Sequence, residues 1–276
     1  MVDNARTDLR RINHEQNNQY KRILAFVIFL IVTLIMITGT FLNPFFMKKQ
    51  IRTSNNQAVI VRKVNNNFDD LADLIGANRE GNANLLTVKQ TQPIADHVID
   101  YSLGLHWFKL DNTGLARQIL HDIELNIDEG SSSDAQQVQA KLKKQRNNAP
   151  YAVISAFNLN TVTLGANIAG MLFVVNIIII IVTIISMLSL ISDMRAKTTI
   201  KALIHDCMAA GMWAGFWMIL IFALLALIPV IFNVESWSSS GYLIEISSSV
   251  FLDNVIAGVI IYILCAIPWQ ITSADN

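Results

Sequence analysis

The hydrophobic residues of this 276-residue chain are gathered into four long runs. The run 168–191 contains no charged residue, and about 20 apolar residues can span the ~30 Å hydrocarbon core of a bilayer. Lipid offers the backbone no hydrogen-bond partners, so we predict a helix here despite the many isoleucines, which favour strands in water. The full pattern predicts transmembrane helices at 23–46, 168–191, 209–232 and 250–269.

The polar segments between these runs predict the topology. Basic residues lie before the first run and between the second and third, at Arg6, Arg10, Arg11, Lys21, Arg22, Arg195, Lys197 and Lys201. The positive-inside rule therefore places 1–22, 192–208 and the tail 270–276 in the cytoplasm. The domain 47–164 and the loop 233–249, which has no Lys or Arg, are then extracytoplasmic. We expect a multi-pass plasma-membrane protein with its N-terminus and C-terminus in the cytoplasm.

The polar domain 47–164 alternates between two kinds of pattern. Apolar positions recur at helical spacing within 68–75, 94–105 and 115–127. Short β-branched or aromatic runs at 58–61, 85–88 and 151–157 predict strands. The predicted fold class is therefore a polytopic α-helical membrane protein with four transmembrane helices. A small α+β extracytoplasmic domain is inserted between helices 1 and 2.

Candidate chemistry is sparse. The chain carries no net charge, and only 15% of its residues are charged. It has no phosphate-binding glycine loop, nucleophile elbow or metalloprotease His pair, and no basic-aromatic pattern for nucleic acid. His97, His106 and His121 lie near Asp96, Asp100, Asp122 and Glu124, but their spacing matches no metal-ligand pattern. We therefore expect no catalytic residue, cofactor or metal.

The cysteines and the potential glycosylation sites bear on the compartment. Cys207 and Cys265 both lie outside the polar domain, so that domain contains no disulfide. It also contains no N-x-S/T glycosylation sequence. Both features are compatible with a bacterial plasma membrane.

Small residues mark helix-packing faces. Ala169, Asn176 and Thr183 recur every seven residues in the second run, and Gly211 and Gly215 form a GxxxG pair in the third. Such glycines let helix backbones approach closely. We predict that these two faces pack on each other within one chain, with a homodimer contact as the alternative.

The order of anchor, large outer domain and three further spans resembles the layout of FtsX-type and MacB-type permease subunits, which work with a separate ATPase. The resemblance is one of topology. It favours a non-enzymatic, permease-like transport subunit whose outer domain binds or senses a surface ligand or partner. Arg195, Lys197 and Lys201 would then form a cytoplasmic coupling loop.

The expected partners are the lipid bilayer, a cytoplasmic ATPase or another membrane subunit, and a second copy of the chain; no nucleic acid is expected. One alternative function is a stand-alone membrane sensor, immunity protein or envelope scaffold. Another is a membrane-anchored hydrolase, which a pocket holding His97 and Asp100 together would favour.

Overall fold

A computed structural model describes residues 2–77, 85–104, 106, 108–232 and 241–274. These residues form eleven helices and no strand. The helices are α1 Val2–Gly39, α2 Pro44–Ile51, α3 Ser54–Leu74, α4 Val88–Leu103, α5 Thr113–Asn126, α6 Ser133–Lys144, α7 Ala149–Ala156, α8 Leu159–Lys197, α9 Ile200–Ala226, α10 Ile228–Ile231 and α11 Gly241–Ala274.

The helices belong to two compact units. One, here the membrane unit, contains the described residues of 1–38, 175–232 and 248–276. The other, here the bundle domain, contains those of 39–174 and 233–247. Helix α8 is continuous and contributes to both units.

Four helical stretches are long and apolar enough to cross a membrane: Asn18–Gly39, Leu159–Lys197, Ile200–Ile231 and Glu245–Ser273. This agrees with the prediction of a multi-pass helical membrane protein. The first predicted span, 23–46, differs at its end, because α1 stops at Gly39. Asn43 then caps α2, its side chain accepting hydrogen bonds from the backbone N–H groups of Phe45 and Phe46.

The α+β prediction for the polar domain is not supported, since the described part of this domain contains helices and the segments between them but no strand. The predicted strand 58–61 lies within α3, and 151–157 forms α7 and its C-terminal cap. The third, 85–88, leads into α4, with only Val88 helical. The helical stripes predicted within 68–75 and 115–127 fall on α3 and α5. The stripe predicted within 94–105 falls on α4 up to Leu103, and its last position, residue 105, lies outside the described residues.

Helices α3, α4, α5 and α7 surround one aliphatic core in the bundle domain. Its largest fully buried side chains are Ile51, Phe68, Leu71, Leu86, Ile94, Leu115, Ile119, Ile123 and Leu159. Burying one such side chain contributes about 1.5–3 kcal/mol relative to leaving it in water. Leu159 is the first residue of α8 and is buried in this core, so the core holds the start of α8 in place.

Candidate functional site

The Gly211–Gly215 pair of α9 packs against α11, Gly215 against its backbone and Gly211 against the Cys265 side chain. A Cβ atom built on Gly215 would lie 2.8 Å from the carbonyl oxygen of Gly258 and 2.9 Å from the backbone nitrogen of Tyr262. One built on Gly258 would lie 3.1 Å from the Gly215 oxygen. One on Gly211 would overlap the Cys265 sulfur. Only glycine fits at position 215 without moving a backbone.

The second predicted packing face, on α8, does not make the close contact that we expected with Gly211 and Gly215. The nearest atoms to Gly211 and Gly215 belong to α11, whereas our sequence hypothesis paired them with α8. Ala169 lies in the bundle domain part of α8, and Asn176 is half-buried in the membrane unit. Thr183 is buried, and its hydroxyl donates to the Ile179 carbonyl of its own helix at 2.6 Å. The sequence offered no signal for the partner, because Gly258 is isolated in the fourth run.

A buried asparagine of the membrane unit was not singled out from the sequence. Asn254 of α11 is fully buried, and neither its amide oxygen nor its amide nitrogen has a hydrogen-bond partner among the described residues. It lies one helical turn before Gly258. The only available signal was an asparagine inside an apolar run.

One end of the membrane unit carries polar contacts that link all four of its long helices, and we name these residues the polar end cluster. Lys21 of α1 forms an ion pair with the buried Asp206 of α9 at 2.8 Å. Lys197 of α8 donates to the Tyr20 hydroxyl of α1 at 3.1 Å and lies 4.8 Å from the centre of its ring. A small apolar cluster accompanies these contacts; its buried side chains are those of Leu24, Met194, Leu203 and Ala210.

The same end joins α9 to α11. The His205 ring stacks on Trp269 with 5.3 Å between ring centres. Its Nδ1 lies 3.0 Å from the Thr272 hydroxyl, which completes the polar end cluster. Between α8 and α9 only Thr198 and Thr199 are non-helical, and the Thr199 hydroxyl accepts from the Ala202 N–H at 3.3 Å. The segment 192–208, predicted as a short cytoplasmic connection with a helix at the interface, consists mostly of the end of α8 and the start of α9.

The predicted coupling residues Arg195, Lys197 and Lys201 are all exposed, and Lys197 also belongs to the polar end cluster.

Asp96, Asp100 and Asp122 of the bundle domain each contact a different basic side chain. His97 Nε2 lies 3.4 Å from the buried Asp122 Oδ2, which joins α4 to α5. Asp100 instead pairs with Lys48 at 2.7 Å, so the structure does not bring His97 and Asp100 into one site. Asp96 pairs with Arg52 at 2.5 Å. Within the described residues no group of three or more potential metal ligands occurs.

Burial raises the pKa of Asp122, while His97 and His121 act in the opposite direction. A carboxylate beside an imidazole can orient a histidine as a general base, and in a covalent triad the other ring nitrogen contacts a side-chain nucleophile. In the described part of the chain no serine or cysteine hydrogen-bonds to His97. The His97–Asp122 contact links α4 to α5, with Asp122 buried and His97 partly exposed.

No protein-family model, no curated protein and no solved structure matches the chain. The class of protein is therefore defined by the structure alone. It is a multi-pass helical membrane protein with a helical bundle domain.

Proposed function

We propose that this protein is a non-enzymatic membrane subunit that couples an extracytoplasmic binding domain to a cytoplasmic partner. The bundle domain would bind or sense a surface ligand or partner. The polar end cluster, with Arg195 and Lys201, would face the cytoplasm, in agreement with the positive-inside rule. The observation that supports this most is the continuity of α8.

Helix α8 runs for 39 residues, which corresponds to about 58 Å. Its first residue, Leu159, is fully buried in the core of the bundle domain. Its last residue, Lys197, contacts Tyr20 in the polar end cluster. No proline interrupts it. A shift or rotation of α8 caused by binding in the bundle domain would therefore reach the polar end cluster, as in other helix-shift switches.

The cytoplasmic partner would carry an acidic surface that complements Arg195 and Lys201. A separate ATPase or another membrane subunit fits this role, and the protein would then be a permease-like transport component in a bacterial plasma membrane. A stand-alone sensor would use the same α8 connection without a stable partner. The hydrolase alternative has less support, because His97 and Asp100 lie in different ion pairs.

Affinity purification of the full chain from its native host tests this function. We expect a cytoplasmic or membrane protein to copurify, and the double variant Arg195→Glu, Lys201→Glu to lose it. The matched control is Lys143→Glu, Lys144→Glu in α6 of the bundle domain, which should retain it. Absence of any copurifying protein would favour the stand-alone alternative.

Reporter fusions test the orientation independently. A reporter after residue 120 should be extracytoplasmic, and reporters after residues 200 and 276 should be cytoplasmic. A cytoplasmic reporter at residue 120 would contradict the proposed coupling direction.

A further inference from the structure

A groove of about 750 Å³ lies between α1 and α9 within the membrane unit. One end of it is lined by Asn18, Lys21 and Arg22 of α1. The remainder is apolar, with Phe26, Phe29, Trp213 and Trp217 among its lining residues. The groove is therefore polar and basic at one end and aromatic along its length.

Positions along the two helices can be counted from the Lys21–Asp206 contact. Phe29 lies eight residues beyond Lys21 on α1, a rise of about 12 Å. Trp217 lies eleven residues beyond Asp206 on α9, a rise of about 16 Å. The apolar part of the groove thus extends well into the hydrocarbon region, while the basic end lies where a headgroup would lie.

The charge at the basic end is only partly neutralised. Lys21 is paired with Asp206, but Arg22 is exposed and has no ion-pair partner among the described residues. A guanidinium presents several N–H donors in a geometry that matches a phosphate group. Basic pockets between transmembrane helices are typical sites for anionic lipid headgroups.

We propose that this groove binds one anionic phospholipid. Its phosphate lies at Arg22, with the Asn18 amide as a second donor, and one acyl chain lies along Phe26, Phe29 and Trp217. The indole rings of Trp213 and Trp217, which are 57% and 46% exposed in the protein alone, are covered by this lipid. The proposal goes beyond the coupling function and does not depend on any protein partner.

Native mass spectrometry of the full chain, extracted from bilayers of mixed phosphatidylglycerol and phosphatidylcholine, tests the site. We expect one retained phosphatidylglycerol per chain in the wild type and little phosphatidylcholine. Arg22→Gln should lower retention about tenfold, since a charge-assisted hydrogen bond is lost. Arg22→Lys should restore part of it. Arg195→Gln, at the same end of the membrane unit but outside the groove, should leave retention unchanged.

Two results would overturn the lipid site. Equal retention of the two lipids would show that the groove has no headgroup preference, and an equal loss in Arg195→Gln would show a general surface-charge effect. A photo-crosslinker at Trp217 provides a check that does not depend on the charge variants. It should attach to lipid, whereas attachment to another polypeptide would identify the groove as a protein interface.

A separate observation supports a second proposal, concerning the segment 108–112 before α5. The Asn167 side chain of α8 pairs with the backbone of Lys109 at two points. It accepts from the Lys109 N–H at 2.8 Å and donates to the Lys109 carbonyl at 2.9 Å. The flanking apolar side chains are exposed, Phe108 by 67% and Leu110 by 98%. Asn167 immediately precedes the uncharged run 168–191, so the segment is held at the level where α8 enters the hydrocarbon region.

Lys109, the charged residue between Phe108 and Leu110, directs its side chain toward Tyr101. The Lys109 ammonium donates to the Tyr101 carbonyl at 2.6 Å and lies 3.7 Å from the centre of the Tyr101 ring. Burial lowers the pKa of Lys109. We infer that Phe108 and Leu110 insert into the adjacent bilayer leaflet, next to the exposed apolar residues Ile168 and Met171 of α8.

Nitroxide labels at single cysteines in reconstituted full-length protein test this insertion, in a background with Cys207 and Cys265 replaced. Labels at 108 and 110 should be accessible to oxygen dissolved in lipid and protected from a water-soluble nickel quencher. Leu125 is the matched control, because it is 66% exposed and lies about 18 Å along α5 from Thr113. Its label should show the opposite pattern. Equal nickel accessibility at 108, 110 and 125 would refute insertion, as would protection that disappears on dilution with lipid.

Discussion

A comparison of two buried asparagines shows that the two units are stabilised in different ways. Asn65 in the bundle domain is 2% exposed, and Asn254 in the membrane unit is fully buried. The Asn65 amide donates to the Leu86 carbonyl at 2.9 Å and accepts from the Leu86 N–H at 2.7 Å. The Asn254 amide has no such partner in the described chain. The same residue type is therefore a structural tie in one unit and an unmatched polar group in the other.

The difference follows from which backbone groups in each unit need hydrogen-bond partners. The bundle domain contains segments between helices whose backbone groups need partners, and side-chain amides supply them. Gln139, for example, donates to the Glu124 and Ile127 carbonyls at 3.0 and 2.9 Å. The membrane helices satisfy their own backbones, so their contact relies on close approach at Gly215 and Gly258.

The largest predicted effect tests the tie in the bundle domain. Asn65→Ala leaves the N–H and carbonyl of the buried Leu86 unpaired, and we expect a loss of about 2–4 kcal/mol in the stability of this domain. Hydrogen exchange at the Leu86 amide should accelerate accordingly. The control is Asn66→Ala, since Asn66 is the exposed neighbour on the same helix and its replacement should change stability by under about 0.5 kcal/mol. Equal effects of the two variants would contradict the comparison.

The next effect tests the membrane unit. Gly215→Ala places a methyl group against the α11 backbone, and overpacking should cost about 1–3 kcal/mol. Thermal unfolding in detergent measures it. Gly165→Ala is the control, because a Cβ atom at Gly165 meets nothing within 4 Å. That substitution should be neutral or should stabilise α8 by up to about 1 kcal/mol. A destabilised Gly165→Ala with an unaffected Gly215→Ala would contradict the observed α9–α11 contact.

The same two regions show what could be predicted from the sequence. Long apolar runs indicated four membrane-spanning helices, and helical periodicity located α3, α4 and α5, because both signals are local. The strand prediction for 85–88 failed for an understandable reason. The chain at Leu86 is indeed non-helical and paired through its backbone, but its partner is the Asn65 side chain rather than a second strand.

The contacts between helices could not be predicted in the same way. The motif of Gly211 and Gly215 indicated close packing but did not identify α11 as the partner, since isolated Gly258 has no motif of its own. The triplet Asn65, Asn66, Asn67 gave no signal by itself, although Asn65 lies three residues before Phe68 and therefore on the same face of α3. The rotation of α3 relative to the core makes Asn65 the buried one.

A smaller effect tests whether burial of polar groups in the bundle domain always stabilises it. Asp122 is an exception to the comparison, because its buried Oδ2 has no hydrogen bond among the described residues. Its raised pKa means that the folded state holds the carboxyl proton more tightly than the unfolded state does. Its contribution therefore favours folding at low pH and is lost as the pH rises through the raised value.

Asp122→Asn should remove the loss of stability that the wild type undergoes as the pH rises. We expect the variant to be more stable than the wild type at pH 7, with a difference that shrinks as the pH falls toward 4. Chemical unfolding followed at several pH values measures this difference. His97 limits the size of this difference, because its ring, 3.4 Å away, acts to lower the pKa of Asp122. A variant less stable than the wild type at pH 7 would show that the His97 pairing outweighs the cost of burial.

The smallest expected change in stability is at Asn254. Replacing an unpaired buried amide by an apolar side chain of similar volume is close to neutral or stabilising, because no hydrogen bond is lost and the desolvation cost disappears. Asn254→Leu should therefore unfold in detergent at the wild-type temperature or slightly above it. The comparison with Asn65 is sharpened by making Asn65→Leu as well, which should be clearly destabilised. A large loss for Asn254→Leu would mean that the amide has a partner in the assembled protein, such as a bound water or another chain. Wild-type stability combined with loss of the copurifying partner would instead make Asn254 a polar position kept for function, as intramembrane polar residues often are.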